Sequence, residues 1–161
     1  MCVCFNFFDT FVVCRIVEIP VFKLSETIVY DKQIGYIIAE DTPDWLLLSP
    51  SLERTITGLH GFHVHQNPDC SPKEKGGKMI PGLGVGSHYD PAITGKHLGS
   101  YLEGHLDDLP VLWVNSDGKA DALVLAPRVK VSNLKGRSLI IYADRIHLLF
   151  VSNSILIHKC V

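Results

Sequence analysis

Histidines in this 161-residue chain are concentrated in one stretch that could bind a metal ion. Six of the eight histidines lie between His60 and Asp108, in a segment interrupted by glycines and prolines. Those two residue types argue against a long helix or strand through its middle and indicate a loop. Neutral imidazoles with nearby carboxylates suit zinc, and several imidazoles together also suit copper. The segment therefore predicts a metal site on a long loop.

The segment begins with a pattern typical of a β-strand. Phe62 and Val64 alternate with His63 and His65. Because strand side chains alternate between two faces, the two histidines should share one face and the two apolar residues the other. Further candidate ligands follow, on segments that a glycine-rich loop could fold back onto that face: His88, His97, His105 and Asp108.

A structural role for these histidines is the alternative to metal binding. A single histidine is more often a hydrogen-bonded structural residue than a ligand, and the isolated pair of His63 and His65 is a weak signal. Six histidines and a trailing aspartate in one loop are harder to explain in that way, since loops of this length are usually functional or disordered. The combination favours a metal site.

Short strands separated by turn signals predict the fold. Apolar or alternating runs occur at 15–24, 35–39, 45–48, 58–65, 109–114, 122–126 and 138–142. The connections include turn-forming sequences such as NSDG at 115–118. Many short strands with little helical periodicity indicate an all-β sandwich or barrel. The chain is long enough for one domain with its own core.

Charge and hydropathy exclude several functions. A net charge of −2 provides no basic surface for nucleic acid. No uncharged apolar run reaches the roughly eighteen residues of a membrane-spanning helix. Residues 1–15 are apolar, but no Lys or Arg precedes the apolar run, Asp9 interrupts it and no small-x-small cleavage site follows. We expect a degraded leader or atypical N-terminus there, followed by one domain over 16–161.

The order of the motifs resembles that of the copper/zinc superoxide dismutases, especially their bacterial periplasmic branch. The matching segments are GLHGFHVHQNPDC (58–70), GVGSHYDP (84–91), TGKHLG (94–99), GHLDDLP (104–110), VLAPRV (124–129) and LKGRSLIIYA (134–143). The resemblance implies a flattened eight-stranded Greek-key β-barrel, an immunoglobulin-like sandwich with long metal-binding loops.

The resemblance also assigns roles to the candidate ligands. It implies copper ligands that are also the catalytic residues: His63, His65 and His88. It implies zinc ligands, with the first imidazole bridging the two ions: His88, His97, His105 and Asp108. His60 matches no ligand of the family and is interpreted as structural.

A disulfide between Cys70 and Cys160 is a further implication of the resemblance. In the chain-entropy model a bridge closing so long a loop is worth about 4–5 kcal/mol. It would require an oxidising compartment. Two unpaired thiols are the alternative, because the tail that carries Cys160 is atypical.

Three features depart from the family pattern. Tyr142 stands where the family has its fourth copper histidine, and Ile157 stands where it has an arginine. Asp107 stands where the family usually has glycine, next to a zinc ligand. The tail at 144–161 is apolar and contains no glycine. His147 is available as a replacement copper ligand, but an uninterrupted strand would point it to the face opposite Tyr142.

The resemblance implies an enzyme that converts superoxide to dioxygen and hydrogen peroxide with copper and zinc as cofactors, impaired by these departures. The alternative is a non-catalytic zinc-binding homologue with weak copper binding. The small-molecule substrate superoxide is the expected partner, and the resemblance leaves a monomer and a homodimer both open. A periplasmic or extracellular location is implied.

Overall fold

The computed structural model of the chain describes residues 2–4, 12–14, 16–27, 32–145 and 155–160, with side chains for 16–27 and 32–142. Twelve strands occur there: β1 (Cys2–Cys4), β2 (Val12–Cys14), β3 (Ile16–Lys23), β4 (Lys32–Asp41), β5 (Leu46–Leu52), β6 (Gly58–His65), β7 (Lys73–Lys75), β8 (Lys78–Ile80), β9 (Leu112–Val114), β10 (Val124–Ala126), β11 (Ser138–Arg145) and β12 (Ile155–Cys160). Helical structure in the described residues is limited to a turn of 3-10 helix at Leu83–Val85 and the short helix α1 (Val131–Leu134).

Eight of these strands form one antiparallel sheet in the order β10-β5-β4-β3-β12-β11-β6-β9. Two antiparallel hairpins accompany it, β1 with β2 and β7 with β8. The predicted all-β fold is confirmed, and each of the seven predicted strands overlaps an observed strand. The sequence analysis did not predict β7, β8 or the tail strand β12, whose residues lack a clear alternation of apolar and polar side chains. It also did not predict β1 and β2, which lie in the segment 1–15 that it set apart from the domain.

The core is formed by apolar residues at every second position of the strands. Phe62 and Val64 of β6 are buried, and they pack in one cluster with Leu139 and Ile141 of β11, which pairs with β6. On the opposite side of β6, the rings of His63 and His65 both lie beside the ring of His88. The two histidines therefore share one face, as the alternation predicted.

The long loop at 66–108 is attached to β6 by backbone hydrogen bonds. Val64 donates its N–H to the carbonyl of Asp107 at 3.2 Å, and Tyr89 donates to the carbonyl of Val64 at 3.0 Å. Leu109 donates to the carbonyl of Phe62 at 3.2 Å. Because both groups of Val64 pair with the loop, two distant loop segments lie next to the histidines of β6.

None of the helices in the described part of the chain has the length and hydrophobicity that crossing a membrane requires.

Two leucines on the paired strands β6 and β9 differ in burial, and this difference predicts how much each contributes to the free energy of unfolding. Leu112 on β9 is 1% exposed, whereas Leu59 on β6 is 46% exposed. Leu112→Ala should lower the free energy of unfolding by about 2–5 kcal/mol, because it removes a buried side chain and leaves a cavity. Leu59→Ala is the matched control and should cost less than about 1 kcal/mol. Denaturant unfolding measures both changes, and equal losses would contradict the assignment of the core.

Candidate metal centre

Five imidazole rings converge where the loop meets β6. The ring centroids of His63 and His88 are 5.0 Å apart, those of His65 and His88 are 4.6 Å apart, and those of His88 and His97 are 4.6 Å apart. His105 follows, with its ring centroid 4.2 Å from that of His97. All the histidines predicted as ligands therefore lie in one cluster.

A smaller group within this cluster could hold a single ion. Ligand atoms of His63, His88, His97 and Asp107 all lie within 4.8 Å of one another. Among the described side chains this is the one group of histidines, cysteines and carboxylates with that property. Three imidazoles and a carboxylate are donors that suit zinc, and imidazoles also suit copper. The donor chemistry therefore fits the metals that the sequence predicted.

The two adjacent carboxylates contact several histidines, and both lie near Nδ1 of His63, with Oδ1 of Asp108 3.4 Å away. Asp108 accepts from Nδ1 of His97, with its Oδ1 atom 2.9 Å away, and it also accepts the backbone N–H of Gly99 at 3.0 Å. Asp107 contacts Nδ1 of His63 through its Oδ2 atom at 3.1 Å, and the same oxygen contacts Nδ1 of His88. Asp107 therefore lies between a predicted copper ligand and the predicted bridging imidazole.

Tyr142 occupies the position next to His65. The Nδ1–H group of His65 donates to the carbonyl of Gly86 at 3.0 Å, so its Nε2 atom is the acceptor. The hydroxyl of Tyr142 donates to that Nε2 atom at 3.1 Å. The lone pair with which His65 could bind a metal is therefore directed at the hydroxyl of Tyr142.

Burial lowers the pKa of His65 from its ordinary value of 6.5 to about 4, with the neighbouring imidazoles of His88 and His63 adding to the effect. Burial also raises the pKa of the Tyr142 hydroxyl to about 12, and the negative charge of Asp107 acts in the same direction. At neutral pH the imidazole is therefore neutral and the phenol keeps its proton.

The pKa of His63 is raised and the pKa values of Asp107 and Asp108 are lowered, so the charged forms of these groups stabilise one another. Burial alone would lower the pKa of His63, but hydrogen bonds and charge from Asp107 and Asp108 outweigh it and raise that pKa. Burial alone would raise the pKa of Asp107, yet hydrogen bonds with His63 and His88 lower it. Burial likewise opposes ionisation of Asp108, but hydrogen bonds from His63, His97 and Gly99 hold its pKa far below its ordinary range.

Arg128 holds the segment that carries His105. Its guanidinium donates to the carbonyl of His105 at 2.6 Å and to that of Gly104 at 3.1 Å. It donates as well to the carbonyls of Gly99 and Ser100, at 3.2 and 3.1 Å. The sequence analysis missed this role, because a lone arginine in an apolar motif carries no signal of which carbonyls it will meet.

His60 lies outside the cluster. Its Nδ1 atom is 2.8 Å from the carbonyl oxygen of Tyr142, and its Nε2 atom is 2.6 Å from that of Ile56. Both nitrogens of the buried ring face backbone oxygens, which agrees with a structural role.

Several predicted features fall beyond the described side chains. Cys70 is buried, and Cys160 lies in β12, where its backbone is opposite Ser138. The side chains of Cys160 and Ile157 lie outside the described residues, as does His147. The disulfide and any role of the tail in copper binding therefore stay predictions.

The fold and this cluster define an all-β metalloprotein with a histidine–carboxylate centre, and comparisons with known proteins identify the family. The family model for copper/zinc superoxide dismutase matches residues 35–148. The superoxide dismutase [Cu-Zn] of Brucella abortus is 44% identical over 112 residues, which cover 69% of this chain and 65% of that protein. The superoxide dismutase [Cu-Zn] 1 of Salmonella typhimurium LT2 is 53% identical over 113 residues, covering 69% and 64%.

Solved structures give the same result. The copper/zinc superoxide dismutase from Brucella abortus superimposes with a TM-score of 0.85 at 33% identity, covering 91% of this chain and 99% of that chain. This chain belongs to the copper/zinc superoxide dismutase family. It spans slightly less than two thirds of the curated relatives named above.

The low pKa of His65 generates a pH prediction for the metal-free protein. Between pH 6.5 and 4 the unfolded chain takes up a proton at His65 that the folded chain does not, so the unfolding free energy should fall as pH falls. The loss from this group should reach about 3 kcal/mol. His63, whose pKa is raised, contributes in the opposite sense, since its stabilisation is present below pH 6.5 and lost above it.

Denaturant unfolding at several pH values between 7 and 4 measures this dependence. His65→Gln should flatten the curve, because glutamine cannot take up the proton. An unchanged slope in His65→Gln would show that the acid sensitivity has another origin.

Proposed function

We propose that this chain converts two superoxide ions and two protons to dioxygen and hydrogen peroxide at a copper/zinc site. The observation that carries the proposal is the convergence of five imidazoles and two carboxylates on one face of β6. The family membership of the chain supports the same reaction. We propose that residues 16–161 form the domain that carries it.

The proposed ligand sets follow the positions of the family motifs. Copper would be held by His63, His65 and His88, and zinc by His88, His97, His105 and Asp108. Contacts between these groups support the sets: His63 and His65 flank the ring of His88, and Asp108 pairs with His97. The bridging role of His88 is supported by its position between the two groups of rings.

The chain's own residues would position these ligands and control protons. When bound, copper supplies the one-electron oxidation and reduction of superoxide, and zinc supplies a fixed positive charge. The carbonyl of Gly86 fixes the tautomer of His65 so that Nε2 faces the site. Tyr142 holds a hydroxyl proton against that nitrogen. Arg128 fixes the backbone of His105 by direct hydrogen bonding.

Tyr142 would limit the reaction rate. A protonated phenol is a weak metal ligand, and the pKa of about 12 opposes its ionisation at neutral pH. For His65 to bind copper through Nε2, the hydrogen bond from Tyr142 must first break. We infer weaker copper binding and a slower dismutase than in relatives with four copper histidines.

A disulfide between Cys70 and Cys160 is proposed with the function. The backbone of Cys160 is opposite Ser138, whose hydroxyl donates to the carbonyl of Asn67 at 2.9 Å. This register supports the proposal because Asn67 lies close to Cys70 in sequence. Because a disulfide requires an oxidising compartment, we propose with it a periplasmic or extracellular location.

The zinc assignment gives the first test of the proposed function. His105→Ala should lower zinc affinity at least tenfold, because it removes one of four proposed donors. Competition with a chromophoric chelator measures the affinity, and the parent should bind about one zinc ion per chain. His60→Gln is the control outside the ligand set. Equal zinc binding by His105→Ala and the parent would contradict the assignment.

Tyr142 gives the second test, which separates copper binding from turnover. Tyr142→His should increase copper affinity by about tenfold or more, since it restores a strong donor. The dismutase rate should recover less, because the family arginine would still be absent. Tyr142→Phe is the matched control, which removes the hydroxyl without adding a donor. A superoxide dismutation assay on copper- and zinc-loaded protein measures the rate.

Full copper occupancy and family-level activity in the unaltered chain would contradict the proposed limitation by Tyr142. The absence of any metal binding or dismutation in the parent protein would contradict the proposed function as a whole.

A further inference from the structure

Asp107 is fixed at the centre of the histidine cluster. Its side chain is 0% exposed. Its carbonyl accepts the N–H of Val64 at 3.2 Å, and its own N–H donates to the carbonyl of Tyr89 at 3.1 Å. Because the backbone is held on both sides and the side chain is buried, the carboxylate is kept within the cluster.

The two oxygens of Asp107 face both halves of the cluster. Oδ2 lies 3.1 Å from Nδ1 of His63 and also contacts Nδ1 of His88. Oδ1 lies 3.5 Å from Nδ1 of His105, and neither of those two atoms has a hydrogen-bond partner among the described residues. A buried carboxylate oxygen and a buried imidazole nitrogen thus face each other without a bond that satisfies either.

The separation between Asp107 and His63 is close to that of two atoms that share an ion. Donors bound about 2.0–2.1 Å from one tetrahedral ion lie roughly 3.3–3.4 Å from each other. The separation is 3.1 Å between Oδ2 of Asp107 and Nδ1 of His63, and the four ligand atoms of the group lie within 4.8 Å of one another. Oδ2 of Asp107 and Nδ1 of His63 are therefore already spaced as two donors to one ion.

Charge also favours a cation at this point. Asp107 and Asp108 are adjacent, and both side chains are at most 5% exposed. The imidazoles around them are neutral donors when they bind a metal. Buried carboxylates are usually paired with charges or bound to metals, since burial of an uncompensated charge is costly. A divalent cation would neutralise this pair.

We propose that Asp107 is a metal ligand whose Oδ2 atom binds the ion held by His63 and His88, filling the donor position that Tyr142 does not fill. The proposal rests on the proposed function for the statement that the cluster binds metal. It assigns a coordinating role to a residue that replaces the glycine usual in the family. The chain would therefore compensate for its missing histidine with a carboxylate from the long loop.

A positioning role is the competing explanation. Asp107 could orient His63 and His88 by accepting their Nδ1–H groups, without touching the ion. Asparagine at this position still presents a carbonyl oxygen that accepts such hydrogen bonds, but it is a much poorer metal ligand. Asp107→Asn therefore separates the two roles, and Asp107→Gly removes the side chain and introduces the usual family residue.

The experiment loads the full-length chain with Cu²⁺ alone and measures affinity by competition with a chelator, together with the electron paramagnetic resonance spectrum. Asp107→Asn and Asp107→Gly should each weaken Cu²⁺ binding by about tenfold or more and shift the copper g and hyperfine values. His63→Ala should weaken binding as well, and its effect should be non-additive with Asp107→Asn because both remove donors from one ion.

Asp121→Asn is the matched control, because it makes the same chemical change at an exposed aspartate outside the cluster. It should leave affinity and spectrum unchanged. Far-UV circular dichroism of the metal-free variants verifies folding. If both Asp107 variants unfold, the copper spectrum of Asp107→Glu provides the test, because moving a coordinating carboxylate should shift the g and hyperfine values, whereas a parent-like spectrum would overturn the inference. Parent-like affinity and spectrum in Asp107→Asn would overturn the inference while leaving the proposed function intact. Absence of Cu²⁺ binding by the parent would overturn both.

Discussion

The pairing of Val64 with the long loop is the interaction on which the rest of the site depends. Its side chain is buried in the core, so β6 cannot rotate or slip without exposing apolar surface. Its N–H and carbonyl bind Asp107 and Tyr89, which lie on two separate loop segments. Core packing of the Val64 side chain therefore fixes the strand edge to which the loop is bound. The adjacent residues His88 and Asp108 take their positions from these two anchors.

This arrangement concentrates charge in a buried place. The two carboxylates lie among five imidazoles, and hydrogen bonds with those imidazoles keep the pKa values of Asp107 and Asp108 low despite burial. Such a cluster is costly unless its charges are compensated. The unsatisfied Oδ1 atom of Asp107 and Nδ1 atom of His105 show that the compensation within the protein is incomplete. A bound cation is the simplest way to complete it.

Two substitutions relative to the family pattern act on the same group of donors. Tyr142 places a protonated hydroxyl against Nε2 of His65, the nitrogen that we propose binds copper. Asp107 places a carboxylate between His63 and His88, where we propose that it binds the same ion. With both residues in place, the proposed ligand field would change from imidazole only to a mixture of imidazole and carboxylate. Harder oxygen donors alter both the metal preference and the redox behaviour of such a site.

The sequence by itself determined the class of fold and the histidines that gather in the cluster, but it did not assign Asp107 to the group. The alternation at Phe62 to His65 placed two histidines on one face, because side-chain direction in a strand follows directly from position. Turn signals and short apolar runs indicated the all-β architecture. The motifs around His88 and Asp108 identified the family and hence the candidate metals.

Only the tertiary structure decided how these residues contact one another. The separation between Asp107 and His63 depends on how a long loop folds back, which local sequence does not encode. Arg128 shows the same limit, since its carbonyl partners at Gly99 and His105 become neighbours only after folding. The hydrogen bond between Tyr142 and His65 likewise joins two strands that are adjacent only in the sheet. Spacing along a chain fixes which face a side chain occupies, whereas long-range packing fixes what it meets there.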